Sequence, residues 1–226
     1  MTATVQCQDI LGPLDEVARK HAPDALYIAG DEKLLHGTSR VSIVGSRKAS
    51  EVGLKRAARL TRELVKARVV IVSGLAKGID HTAHTTAIEA GGRTIAVIGT
   101  PLDRAYPKEH AELQAQIARD HLLVSQFPVG AATGAWSFPV RNRTMALLSH
   151  ATVIVEASED SGSLHQGWEA IRLGRPLFFM VSLLESPDLA WPRKLMEYGA
   201  QPLSSVEELL AEIPAADFTP AGLDAF

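Results

Sequence analysis

Cysteine is almost absent from these 226 residues. Cys7 stands alone, which excludes an internal disulfide and a cysteine-built zinc site. No run of about 18 apolar residues is present to cross a bilayer as a helix. The first ten residues, MTATVQCQDI, lack the basic-then-apolar pattern of a secretory signal. A cytoplasmic protein that avoids membranes is therefore expected. Aromatic residues make up only 5% of the chain, and there is no internal repeat, heptad pattern or low-complexity tract. What the chain does have is aliphatic bulk: 46% of it is hydrophobic, enough to fill the core of one compact domain.

That bulk comes in short β-branched runs: VSIVG at 41–45, VVIVS at 69–73, TIAVI at 94–98, LLVSQ at 122–126, TVIVE at 152–156 and PLFFM at 176–180. They are nearly continuous in apolar character, as strands covered on both faces are. Between them lie segments with helical spacing, at 51–67, 79–91, 108–120, 140–150 and 163–174, several closed by glycine or a polar turn. Repeated strand–helix units of this kind predict an α/β fold, an extended Rossmann-like, doubly wound and mostly parallel sheet. Residues 1–40 read as an N-terminal segment packed on the core, with a helix near Leu11–Lys20 and a short strand at 25–29. Residues 41–213 read as the core, which ends in two short helices. Residues 214–226 read as a mobile tail.

The net charge of −3 conceals a segregation along the chain. Residues 40–143 carry 16 Lys/Arg against 8 Asp/Glu, whereas residues 144–226 carry 4 against 12. The unusual loops follow the strands, at the carboxyl edge where open α/β sheets bind ligands. Gly45-Ser46-Arg47 offers a tight turn, a hydroxyl and a guanidinium suited to phosphate. Ser73, Gly74, Lys77 and Gly78 form a glycine-containing loop before a helix. It lacks the Gly-Lys-Ser/Thr ending of a Walker A loop and the G-x-G-x-x-G dinucleotide fingerprint, so no cofactor is expected. Phe138, Arg141, Asn142 and Arg143 gather a ring, two guanidiniums and an amide at a helix start, although two arginines two positions apart cannot both point the same way. Ser161, Gly162 and Ser163 precede another helix. His81 and His84 are spaced i, i+3, but with no third ligand close in sequence they do not amount to a metal site.

Taken together, VSIVGSR, SGLAKGIDHTAH, GGRTIAVIGTPLDRAYP, FPVRNR and EASEDSGSL closely resemble the DprA/Smf family in order and spacing. The resemblance is to the family's Rossmann core, without the flanking helical and winged-helix domains of many members. It implies an extended Rossmann fold, a homodimer, binding of single-stranded DNA, and loading of the RecA recombinase during recombination or natural transformation. Carried over motif by motif, the DNA pocket would comprise Gly45, Ser46, Arg47, Ser73, Gly74, Lys77, Gly78, Phe138, Arg141, Asn142, Arg143, Ser161, Gly162 and Ser163. Two stretches depart from the family pattern: His165-Gln166-Gly167, where Thr-Ala is usual, and Val181-Ser182, where Pro-Gly is usual.

Two rivals stand beside that reading: a sensor of a free nucleotide, and an enzyme resembling the nucleoside-monophosphate phosphoribohydrolases. Those enzymes place a catalytic glutamate after a glycine-rich loop. Here Gln166 occupies that position, and an uncharged amide is no general base. Glu169 could replace it only if the helix were displaced. The expectation is thus a binding protein without a catalytic residue.

Overall fold

A computed structural model of the chain describes residues 2–11 and 14–215. Nine strands form one sheet among these residues, in the order β1-β2-β6-β5-β4-β3-β7-β8-β9. They are β1 (Thr2–Gln6), β2 (Ala25–Gly30), β3 (Arg40–Val44), β4 (Val70–Ser73), β5 (Thr94–Ile98), β6 (Leu122–Ser125), β7 (Ala151–Ile154), β8 (Leu177–Met180) and β9 (Gln201–Leu203). From β6 across to β9 every pairing is parallel, while β1–β2 and β2–β6 are antiparallel. The molecule is therefore a doubly wound, Rossmann-like α/β protein, as its strand pattern predicts.

The helices are α1 (Cys7–Leu11), α2 (Glu16–His21), α3 (Glu51–Lys66), α4 (Ile79–Glu89), α5 (Ala111–Asp120), α6 (Ser137–Leu148), α7 (Ser163–Arg172), α8 (Trp191–Met196) and α9 (Val206–Ala211). Among the described residues none is long and apolar enough to cross a membrane. Alternate residues of each central strand serve opposite faces. Val41, Ile43, Ile71, Val153 and Phe178 pack with α3, α4 and α9, whereas Val72, Val97, Ile154 and Phe179 pack with α6 and α7. Both faces are covered, which is why the sequence runs are continuous instead of alternating. Phe178 and Phe179, one to each face, are at most 1% exposed, and burying each ring contributes roughly 1.5–3 kcal/mol.

The structure corrects the predicted N-terminal helix: in place of Leu11–Lys20 there are two short helices, α1 and α2, on either side of residues 12–13. It also adds two strands that the sequence pattern did not reveal. β1 is mostly exposed, so it shows no apolar periodicity. β9 is three residues long and contains Pro202, which suits an edge strand. Most of the tail expected at 214–226 falls outside the described residues. Cys7 is buried, and burial pushes its thiol up to about 11, which leaves it unreactive near neutrality.

His84 sits wholly inside α4, with Nδ1 2.7 Å from Thr94 Oγ1, which itself donates to the carbonyl of Ile71. Desolvation, reinforced by neighbouring His81 and His121, holds its pKa near 3. The imidazole is thus buried neutral, and stability is lost as pH falls below the unfolded-state value of about 6.5. Buried Asp80 titrates in the opposite sense: its pKa is raised by desolvation, so its contribution is lost as pH rises. Comparison with a variant cancels the Asp80 effect. Urea unfolding at pH 7 and pH 5 is expected to show a loss about 2 kcal/mol larger in the wild type than in His84→Asn. Equal losses would exclude His84 as the source.

Candidate functional site

β3 sends its chain to one side of the sheet, into β4, while its other neighbour, β7, is reached only after the chain has passed through β4, β5 and β6. The loops after β3 and β7 consequently part at their carboxyl ends. This is the switch point where a crevice forms in such sheets. A cavity of about 620 Å³ lies there, walled by residues 44–48 after β3, residues 158–166 around the start of α7, and the first turns of α6.

The back of the cavity is held together by Arg141. Its guanidinium, 5% exposed, donates from Nη1 to the carbonyls of Gly74 (2.5 Å) and Val97 (2.8 Å), at the ends of β4 and β5, and from Nε to Asn142 Oδ1 (3.0 Å). Nη2 makes no hydrogen bond among the described residues, and Arg141 lines the cavity. Burial brings its pKa down to about 10, partly offset by Asp80, so it stays charged at neutral pH. Asn142 continues the chain of contacts by donating to the carbonyl of Gly162 (3.2 Å).

Asp80, at the start of α4, accepts from the amides of Gly74 (3.1 Å) and Ala76 (3.4 Å). The amides of Gly74 and Ala76 are therefore already occupied by an internal carboxylate. The two glycines of this loop have packing tasks. A Cβ on Gly74 would lie 2.5 Å from Arg141 Nη1, and one on Gly78, where φ is +71°, would lie 2.3 Å from the carbonyl oxygen of Ser46. Ser73 is buried and donates to the carbonyl of Ile43 (2.7 Å).

At the front, Arg47 is exposed and takes part in no ion pair among the described residues. Its guanidinium carbon stands 5.6 Å from the centre of the Phe138 ring, within reach of cation–π attraction. Phe138 is half-buried and lies against Gly99. The hydroxyls of Ser161 and Ser163 are 2.6 Å apart on the opposite wall. The loop after β3 is fastened from behind, because Glu156 accepts from the amide and hydroxyl of Ser50, and its carbonyl accepts from the amide of Ser46.

Of the residues singled out in the sequence, the cavity brings together Gly45, Ser46, Arg47, Phe138, Arg141, Asn142, Ser161, Gly162 and Ser163. Others are placed elsewhere. Arg143 turns away from Arg141 and pairs with Glu169 (3.2 Å), which also pairs with Arg172 (3.0 Å). The two arginines therefore do not form one clamp. Lys77 is exposed and pairs with Glu109 (2.7 Å). Gln166 is buried, with its amide set to donate to the carbonyl of Asn142 and accept from the amide of Ala146, so it clasps α6 to α7. His81 stacks 4.7 Å from His110. Sequence reasoning passed over Asp80 and Glu156. Asp80 stood inside the SGLAKGID motif, and only its burial shows that it completes the loop.

Fold and site together define a Rossmann-type protein with a cleft at its switch point that is lined by Arg47, Lys48 and Arg141 together with Asp80 and Asp160. The family model for DNA recombination-mediator protein A matches residues 9–214, and the chain belongs to that family. It is 37% identical over 192 residues to the DNA processing protein DprA of Bacillus subtilis, covering 85% of this chain and 65% of that protein. The crystal structure of DprA from Streptococcus pneumoniae superposes with a TM-score of 0.82 at 36% identity, covering 94% of this chain and 74% of that one. A structure of DNA processing protein A from Helicobacter pylori, described as giving insight into its single-stranded DNA binding mode, superposes with a TM-score of 0.77 at 30% identity, covering 93% and 94%.

Gly74→Ala would push the new methyl group into the buried guanidinium, with an expected cost of about 1–3 kcal/mol in urea unfolding. Lys77→Ala, at an exposed pair, is expected to leave the midpoint unchanged. The reverse ranking would show that the loop, not the Arg141 contact, governs this edge.

Proposed function

We propose that the chain binds single-stranded DNA through the switch-point cleft, holding phosphates with Arg47, Lys48 and the serine hydroxyls while a base lies against Phe138. The observation that carries this reading is the combination of an exposed cation with no ion-pair partner among the described residues and a half-exposed aromatic ring 5.6 Å away. A guanidinium with no carboxylate to satisfy it accepts a phosphate readily, and a ring face takes any base without reading sequence. The Helicobacter pylori relative, described by its binding mode for single strands, supports the choice of ligand.

In this reading the protein acts stoichiometrically, without a catalytic step. Supporting that, Glu169 is engaged by two guanidiniums and Gln166 is neutral and buried, so neither is placed as the free base that a phosphoribohydrolase uses. On the strength of the family relation, the proposal extends to a cytoplasmic homodimer that hands its strand to RecA in recombination or transformation. Light scattering giving the mass of a single chain at micromolar concentration would remove the dimer from it.

Fluorescence anisotropy of a labelled single strand of ~30 nucleotides, measured across a salt series, tests the central claim. Affinity is expected to fall steeply with salt, single strands to compete better than duplex, and Arg47→Ala to weaken binding about tenfold and flatten the salt dependence. An Arg47→Ala protein that binds as tightly as the wild type sinks the reading.

A further inference from the structure

The motif GTPLDRAYP, which follows β5, supports Phe138 but contributes no residue to the lining of the first cleft. Its side chains instead wall a second cavity, of about 480 Å³, on the other side of Phe138. The two cavities share Arg47, Phe138, Pro139 and Gly162, so the Phe138 ring and the Arg47 guanidinium form a partition with a pocket on each side.

Two features of the second cavity suit a nucleotide. Tyr106 is 51% exposed, with its ring 5.1 Å from that of Phe138 and tilted 41° to it. An aromatic side chain half open to solvent, in a chain with few aromatics, offers a π-face that the core does not use. Arg104 is exposed, takes part in no ion pair among the described residues, and has Nη1 3.2 Å from Thr133 Oγ1. The loop carrying both is rigid: Thr100 Oγ1 donates to the carbonyl of Arg104 (2.7 Å), the amide of Arg104 donates to the carbonyl of Pro101 (3.0 Å), and Ser125 Oγ donates to the carbonyl of Thr100 (2.7 Å). A site held in place before binding loses little entropy when occupied.

We propose that this second cavity is a nucleotide subsite, in which the next base of the strand stacks on Tyr106 and its phosphate meets Arg104. The proposal rests on the single-strand reading of the first cleft and extends it: the chain holds two consecutive nucleotides, one on each side of the Phe138–Arg47 partition. Paired bases in a duplex stay stacked on one another and cannot straddle that partition, so the arrangement itself selects single strands.

The test is competition anisotropy with a thymidine mononucleotide, a dinucleotide and a strand of about 20 nucleotides, on folded proteins with matched thermal midpoints. In the wild type the dinucleotide is expected to bind about tenfold tighter than the mononucleotide. Tyr106→Leu is expected to abolish that gain while leaving mononucleotide affinity unchanged, Tyr106→Phe to keep it, and Arg104→Gln to reduce it. A gain that survives Tyr106→Leu overturns the subsite. So does a Tyr106→Leu loss that is equal for mononucleotide and dinucleotide, because Tyr106 would then act only by supporting Phe138. Arg47→Ala serves as the separate control: if it leaves all three ligands unaffected, it is the single-strand reading of the first cleft that fails.

Discussion

One buried cation sets the geometry of the carboxyl edge. The Arg141 side chain, carried by α6, shares Nη1 between the carbonyls of Gly74 and Val97, at the ends of β4 and β5. A buried charge is costly unless it is well hydrogen-bonded. Here the cost is met by three acceptors and by the field of Asp80, which itself holds the loop after β4. The start of α6 can lie over the sheet only because that guanidinium fits against a residue with no side chain. Phe138 and Asn142 are carried into position with it, three residues before and one residue after Arg141 on the same helix. Losing Arg141 would therefore remove both of these contacts and release the wall of the cleft together.

The same arrangement divides the cations by task. Arg141 and Arg143 are consumed by the protein itself, one by carbonyls and the other by Glu169. Arg47 has no such obligation among the described residues. The cleft also lies on the seam between the basic and acidic halves of the chain, since one wall comes from residues 44–48 and 138–145 and the other from residues 158–166. A modest net charge is therefore compatible with a locally cationic surface.

Six of the seven parallel strands, β3 to β8, were legible to within a residue or two because burial on both faces writes a continuous apolar run. β1 and β9 were not, because edge strands need no such run and these two are exposed or very short. The adjacency of β3 and β7 comes from the sheet order, whereas the gathering of the loops at the carboxyl edge could be read from the alternation of strands and helices. The roles within those loops could not. Helical spacing already set Arg141 and Arg143 apart, but which of them faced the sheet depended on packing between elements distant in sequence. Gly74 and Gly78 looked like phosphate-cradle residues because a glycine that admits a ligand and one that admits a neighbouring side chain leave the same mark in a sequence. Asp80 drew no notice because an acid at a helix start is ordinary. Its meaning lies in two amides four and six residues earlier.

The Phe138 ring rests on Gly99, where a Cβ would come within 2.8 Å of its edge. Position 99 thus works as a gauge that can be read without a structure. A distant homologue with any side chain there cannot keep its ring in this place, and so cannot present an aromatic face between two cavities. Sorting divergent members by that single position would separate chains that retain the partition from those whose cleft has become one open trough.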